Sequence, residues 1–492
     1  MTRRTMTRRT MTRHAIRRAT LSLAAMMLLV CGCMVGPKYV KPPVSLTPDF
    51  KEDGAWQTAR PADTMLRGTW WTIFSDEQLN ALEPQVALAN QSAKAAEARF
   101  REARAQIQYN RASLAPTVGV APFFGGLRES SARPYFSSLN ANANGIGGGD
   151  LQLPLELSYE VDLWGRIRRS VSVSREEATA SAADFQTSLL SLQTELAMDY
   201  FEARAADAEE KLLLDTVKTY EEAFRITTNR FQGGVSPKSD VDQAQTQLEA
   251  AKVQASDVAI IRARYEHAIA VLIGKPPASF ALEVAPLTAQ PPSIPLSLPS
   301  QLLERRPDIA AAERRMAEAN DRVGIATAAY YPTVSFNAAA GLEATTLTSL
   351  VKASSILWSA GPTVSETLFD YGRRRSVVTQ AQAGFDETVA TYRETTLTAF
   401  QQVEDNLAVL RVLRAEAQQQ HRATDAAESA VQIFNNRYVG GLDTYLQVVT
   451  AQTTALINER NDIDIERRQM DASVLLIKAL GGGWDTTKLP KL

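Results

Sequence analysis

Few side chains in this sequence have the types and spacing that catalysis requires. There are three histidines, His14, His267 and His421. His14 lies in a basic leader, and the other two stand alone within helix-forming stretches, where an imidazole serves packing or solvent contact. The two cysteines, Cys31 and Cys33, flank one glycine and offer neither a disulfide framework nor a four-thiol metal site. Gly145, Gly147, Gly148 and Gly149 form a glycine run, but with loop on both sides. A phosphate-binding turn needs a strand before it and a helix after it. Glu156, Glu160 and Asp162 share the polar face of one alternating segment, a placement that suits the lining of a wet barrel better than acid–base work. No zinc spacing, Walker loop or nucleophile elbow is present. These residues point away from an enzyme, and no cofactor or metal is expected.

Composition narrows the class further. Lys plus Arg number 53 against 55 for Asp plus Glu, a balance that argues against a nucleic-acid binder. Hydrophobic residues make up 45% of 492, enough for large buried surfaces. After Cys33 no stretch approaches the roughly 18 apolar residues of a membrane helix, which excludes a helical transporter.

The first residues read as an export signal. Arg3, Arg4, Arg8, Arg9, Arg13, Arg17 and Arg18 precede an apolar run, Leu21 to Val30, and then Cys31-Gly32-Cys33. The ending Val30-Cys31-Gly32-Cys33 resembles a bacterial lipobox, which implies cleavage before Cys33 and a lipid on its thiol. Loss of residues 1–32 removes seven arginines and no acid, so 46 basic residues face 55 acidic ones at a net charge of −9.

The remainder repeats itself. Asn229-Arg230-Phe231-Gln232-Gly233-Gly234 returns as Asn436-Arg437-Tyr438-Val439-Gly440-Gly441, an offset of 207. The same offset maps Gly165-Arg166 onto Gly372-Arg373, while upstream Pro116-Thr117-Val118 maps onto Pro332-Thr333-Val334 at 216. Seven prolines between Pro276 and Pro299 mark an extended connector. The organisation expected is a signal at 1–32, a lipid-anchored leader at 33–75 and a first unit at 76–274. The connector at 275–300, a second unit at 301–482 and a tail at 483–492 follow.

Each unit reads as a helix, two strands, a very long helix and a returning helix. From Leu151 to Leu163 apolar and polar residues alternate, the period of a strand with one wet face. Thr117 to Phe124 is its weaker partner, with a long loop over Gly125 to Asp150. Val334 to Leu342 and Trp358 to Leu368 are the strands of the second unit. No proline interrupts Gly165 to Asn229 or Gly372 to Asn436, so each is expected to form a rod of about 100 Å. Each rod ends in a Gly-Gly turn, after which Asp240 to Ile273 and Asp443 to Leu480 run back. Ser236, Ser239, Asp240 and Asp443 are the expected N-caps. Four strands cannot close a membrane barrel, which takes about eight or more, and an open edge in lipid leaves backbone groups unpaired. If the strands lie in the membrane, several copies must share one barrel; three would supply twelve strands.

At this point a family resemblance emerges. Cys33-Met34-Val35-Gly36-Pro37-Lys38-Tyr39-Val40-Lys41-Pro42, Leu302-Leu303-Glu304-Arg305-Arg306-Pro307-Asp308-Ile309 and the two Gly-Gly tips resemble those of TolC-like outer-membrane factors, lipoprotein branch. The resemblance implies a mainly α chain with a small β part. Long coiled-coil helices would form a trimeric α-barrel continuous with a 12-stranded β-barrel in the outer membrane, four strands per chain. It also implies partners: two further copies, a periplasmic adaptor, an inner-membrane pump and outer-membrane lipid, with no nucleic acid. The tips at Gly233, Gly234, Gly440 and Gly441 would dock the adaptor. Leu446, Asp240 and Tyr438 match gate positions. Leu446 also fits a coiled-coil core position, and Asp240 a helix cap. Thr450 and Thr453 stand where charged latch residues often occur.

The exit duct of an efflux pump is the leading reading. The exit duct of a type I secretion system and a lipid-anchored periplasmic coiled-coil adaptor are the alternatives. An adaptor lacks paired amphipathic strands in each repeat, so the alternation from Leu151 to Leu163 favours a duct.

Overall fold

The computed structural model describes residues 34–43, 50–53, 68–128, 147–287, 291–292, 294, 305–484, 486–490 and 492. Cys33 and Gly145 lie outside the described residues, as do Leu302, Leu303 and Glu304. Helices α1 (Glu77–Ala89) and α2 (Gln91–Ala112) lead into strands β1 (Thr117–Val120), β2 (Phe123–Arg128) and β3 (Gly147–Val161). The rod α3 (Arg166–Gln232) follows, and α4 (Lys238–Leu272) returns along it. The second half has α5 (Pro307–Ala328), β4 (Thr333–Ala344), β5 (Ile356–Ser365), the rod α6 (Arg373–Val439) and its return α7 (Tyr445–Ala479). Both rods have 67 residues and both returning helices 35. Among the described residues no helix is long and apolar enough to cross a membrane.

The strands form one antiparallel sheet in the order β1-β3-β4-β5, with β2 also on β3. The expected strand from Thr117 to Phe124 is broken in two. Pro122 has no N–H to give the ladder, so the chain leaves it after Val120 and rejoins at Phe123. Gly147, Gly148 and Gly149, read as loop, open β3 and pair with Arg128, Leu127 and Gly126 in that order. The last strand lies at Ile356–Ser365 instead of Trp358–Leu368. Along β3 and β5 many apolar side chains face outwards: Leu153, Leu155, Ile356, Trp358 and Val364 are exposed. A sheet with a bare apolar face is what lipid contact requires.

The rods owe their length to composition. Alanine, glutamate, leucine and glutamine keep helix propensity high, and alanines let neighbours approach closely. Ala178, Ala180, Ala182 and Ala183 of α3 and Ala310, Ala311 and Ala312 of α5 are all buried. The largest apolar cluster gathers Trp70, Trp71, Phe74, Leu79 and Val86 against Leu196, Tyr200 and Phe201 of α3, with Ile269, Leu476 and Ile477. Asp76 starts α1 by accepting the N–H of Gln78 and Leu79, and it also receives the Tyr200 hydroxyl at 2.8 Å.

One carboxyl in this region stands without a partner among the described residues. Glu83 of α1 is fully buried, and among the described residues neither of its oxygens has a hydrogen-bond partner. Burial raises its pKa well above the usual 4.5. The folded protein therefore keeps a proton that the unfolded chain releases above that value. Stability falls as pH rises from about 4.5 towards the folded pKa, and is greatest below it. Glu83→Gln should remove this slope. Melting temperatures at pH 5 and pH 8 are expected to differ less for the variant, with the variant the more stable at pH 8.

Candidate functional site

The end of the molecule remote from the sheet is built by two copies of one turn. At the end of α3, the Gly233 N–H donates to Asn229 O at 2.9 Å and the Val235 N–H to Arg230 O at 2.8 Å. At the end of α6, Gly440 donates to Asn436 O at 3.0 Å and Leu442 to Arg437 O at 2.8 Å. These paired bonds satisfy the last helix carbonyls and require a left-handed residue. Gly234 and Gly441 supply it, each with φ +73.

The side chains bind the two turns together. Tyr438, in the last turn of α6, is buried beside Tyr445 of α7, with ring centres 5.2 Å apart. The Arg230 guanidinium lies 4.9 Å over the Tyr438 ring, and its Nη1 donates to Val439 O at 3.2 Å. The Tyr438 hydroxyl donates to Asp240 Oδ2 at 3.4 Å. Burial, reinforced by the Asp240 carboxylate, raises the Tyr438 phenol, and burial pushes Tyr445 up as well. Ala244 and Val448 complete the small core, with Phe224 and Phe434 against it.

One expectation is corrected here. Ser236, Ser239, Asp240 and Asp443 are not the N-caps: Pro237 and Thr444 hold those positions, and neither makes a side-chain cap bond. Proline at the cap pushes Ser239 and Asp240 into the first turn, which frees Asp240 for Tyr438. Asp443 instead pairs with Arg437 at 2.5 Å. Leu446 stands in the first turn of α7 with 53% of its surface exposed. It is thus no buried core position within the single chain. Thr450 and Thr453 turn their hydroxyls back to the carbonyls of Leu446 and Val449, each at 2.8 Å. Gln247 adds a bond to Thr453 from α4 at 3.3 Å.

At the sheet end, Glu156 is exposed. Glu160 is ion-paired with Arg166 at 2.7 Å. Asp162 accepts the N–H groups of Ile167 and Arg168 at the start of α3, at 3.1 and 3.0 Å. Two of the three carboxylates thus fasten strand to rod, while Glu156 keeps a free wet face. Trp164 stacks on Tyr331 at 4.6 Å beside this junction and donates to Pro332 O at 2.8 Å. Arg230, Tyr445 and Gln247 at the tip carried no separate signal beyond the repeated Asn-Arg-aromatic spacing.

The family description "Outer membrane efflux protein" matches residues 83–275 and 298–482. The chain belongs to this family. It is 29% identical over 468 residues to the probable efflux pump outer membrane protein TtgC of Pseudomonas putida, covering 94% of this chain and 95% of that protein. Outer membrane protein OprJ of Pseudomonas aeruginosa is 28% identical over 468 residues, covering 94% and 95%. Among solved structures, the outer-membrane channel OprN superposes with a TM-score of 0.84 at 28% identity, over 92% of this chain and all of that one. The CmeC outer membrane channel of Campylobacter jejuni gives 0.83 at 26%, over 93% and 96%. As a member of the outer membrane efflux protein family, the chain is an outer-membrane efflux channel. The outward apolar side chains of its sheet suit the lipid, and the rods form the part below.

Proposed function

We propose that three copies close one twelve-stranded barrel and one helical duct, anchored by a lipid on Cys33, that passively conducts small toxic molecules out of the cell. A periplasmic adaptor, docking at Gly233, Gly234, Gly440 and Gly441, and an inner-membrane pump deliver the cargo. Leu446, Asp240 and Tyr438 form the gate region, and Glu156 faces the barrel lumen. No chemical step is required of the duct itself.

The observation that carries this reading is the repeated strand register. Thr117 pairs with Ser158, and Thr333 with Ser365, the same pair shifted by 216 and 207. Both threonine hydroxyls even donate to the opposing serine carbonyl at 3.2 Å. Within the chain, Tyr159 of β3 faces Phe336 of β4. Shifting this seam in the same way sets Glu366 opposite Val120 of the next copy. Leu368, Phe369 and Tyr371, which follow β5, are left 89%, 83% and 93% exposed in the single chain, as an unfilled seam would leave them.

Cysteine cross-linking tests the assembly. Glu366→Cys combined with Val120→Cys should give a dimer and trimer ladder that collapses under reductant. Glu366→Cys with Gly119→Cys should not, because neighbouring strand residues face opposite sides. Absence of any ladder with the first pair contradicts the trimeric duct.

A further inference from the structure

Met34 follows the proposed acylated cysteine directly, and the residues after it sit in a built socket. Arg169, in the first turn of α3, has only 4% of its side chain exposed and bonds Asp321 of α5 at 2.6 Å. Its Nε donates to Val35 O at 2.9 Å and its Nη2 to Pro37 O at 3.1 Å. The Val35 N–H donates to Trp164 O at 3.1 Å. Between the two carbonyls Gly36 takes φ +100, and a methyl group there would sit 2.6 Å from the Gly324 Cα. A methyl on Gly324 would in turn meet the Arg169 guanidinium. Backbone, glycine and arginine therefore fit together as one piece.

The place of this socket gives it meaning. Val35 is tied to Trp164, whose ring stacks on Tyr331 where β3 ends and β4 begins. Aromatic side chains at strand ends mark the level of the lipid headgroups. Beyond the socket, Lys41 pairs with Glu313 at 2.8 Å. Further on, the Lys51 and Glu52 N–H groups bond Glu404 at 2.7 and 3.0 Å. A plain strap needs only such surface ties. A desolvated arginine spending two of its donors on backbone carbonyls fixes one point of the chain.

We infer that Arg169 is a positioning residue for the lipid anchor: with Gly36 and Gly324 it fixes residues 35–37 so that acyl chains on Cys33 enter the bilayer beside Trp164. The inference rests on the acylation proposed above. Without the socket the lipid stays attached, but the leader swings free of the barrel base.

The full-length protein, labelled in cells with radioactive palmitate and then purified, supplies the test. Trypsin cleavage after Lys38 separates the label from the body, since Lys41 precedes Pro42 and is not cut. Arg169→Ala and Gly36→Ala should each release label at least about tenfold faster than the unsubstituted protein, since local opening governs cleavage. Arg169→Lys should release it nearly as fast, because an ammonium keeps the charge but cannot fork to two carbonyls. The heat resistance of the oligomer should stay unchanged, which separates anchor positioning from a general packing role. Absence of label in the unsubstituted protein overturns the acylation. Label present but released at the same rate in both Arg169→Ala and Gly36→Ala overturns the socket.

Discussion

Replacing Arg204 with alanine is expected to cost about 3 kcal/mol, because it removes one of the two arginines that neutralise a buried carboxylate. Asp207, one turn along α3, has a fully buried side chain; Arg204 meets it at 2.9 Å and Arg262 of α4 at 3.0 Å. The same cluster holds the start of the proline-rich connector. Arg204 also donates to Glu283 O and to Gln78, while its guanidinium lies 4.7 Å over the Tyr200 ring. The Ala285 N–H donates to Asp207 at 3.1 Å, and Arg262 Nη2 reaches Leu282 O. One ion cluster thus joins the rod α3, its return α4, α1 and the connector. The loss should appear as a large drop in melting temperature and rapid proteolysis after Phe280. Arg204→Met together with Asp207→Leu should do less harm than Arg204→Ala alone, because it removes the buried carboxylate along with one partner and leaves Arg262 its pair with Glu266 at 2.5 Å. An unchanged melting temperature in the single variant would show that the cluster contributes little.

Which parts of this architecture were legible in the sequence follows from the range of the interactions. The rods were plain because propensity and missing prolines act locally; their ends at Gln232 and Val439 lie three residues beyond the expected Asn229 and Asn436. The Gly-Gly turns were equally local, since only a left-handed residue completes them. Strand β3 declared itself by alternation, yet its first residues are glycines that no periodicity reveals. Pro122 was visible as a letter, but the gap it leaves in the ladder depends on β3 lying opposite. Asp240 shows the limit most clearly. Its type and place suggested a cap, and the partner that claims it, Tyr438, is 198 residues away.

The arginine sockets were not legible at all. Arg169 and Arg204 sit in helical stretches full of charged residues, where an arginine reads as solvent-facing. Their partners are backbone carbonyls 134 and 79 positions distant, and a carbonyl has no residue type to betray it. The repeat does not help with Arg169, because position 376, which matches it at the offset of 207, is serine; Arg204 does have a match, Arg411, which pairs with Glu52 of the leader. The Arg169 contacts reach the leader and the Arg204 contacts the connector.

The gate carries the second large expected effect. Leu446 is exposed in the single chain, one residue after the buried Tyr445 that anchors α7 to the tip. In a three-fold assembly three such isobutyl groups would approach the axis, and an apolar constriction stops ions by dewetting without any charged ring. Thr450, one turn further along, has its hydroxyl satisfied by Leu446 O and carries no charge. Leu446→Ala should therefore raise conductance several-fold, while Thr450→Ala changes it little. Tyr445, Tyr438 and Arg230 should hold the turn in place in both variants, so the difference reports on the aperture and not on folding.

Single-channel recording of purified full-length protein in planar bilayers tests the duct most directly. The account predicts small conductance steps for the unsubstituted protein, similar steps for Thr450→Ala and much larger ones for Leu446→Ala. The absence of steps from all three proteins, or equal steps in all three, would contradict it.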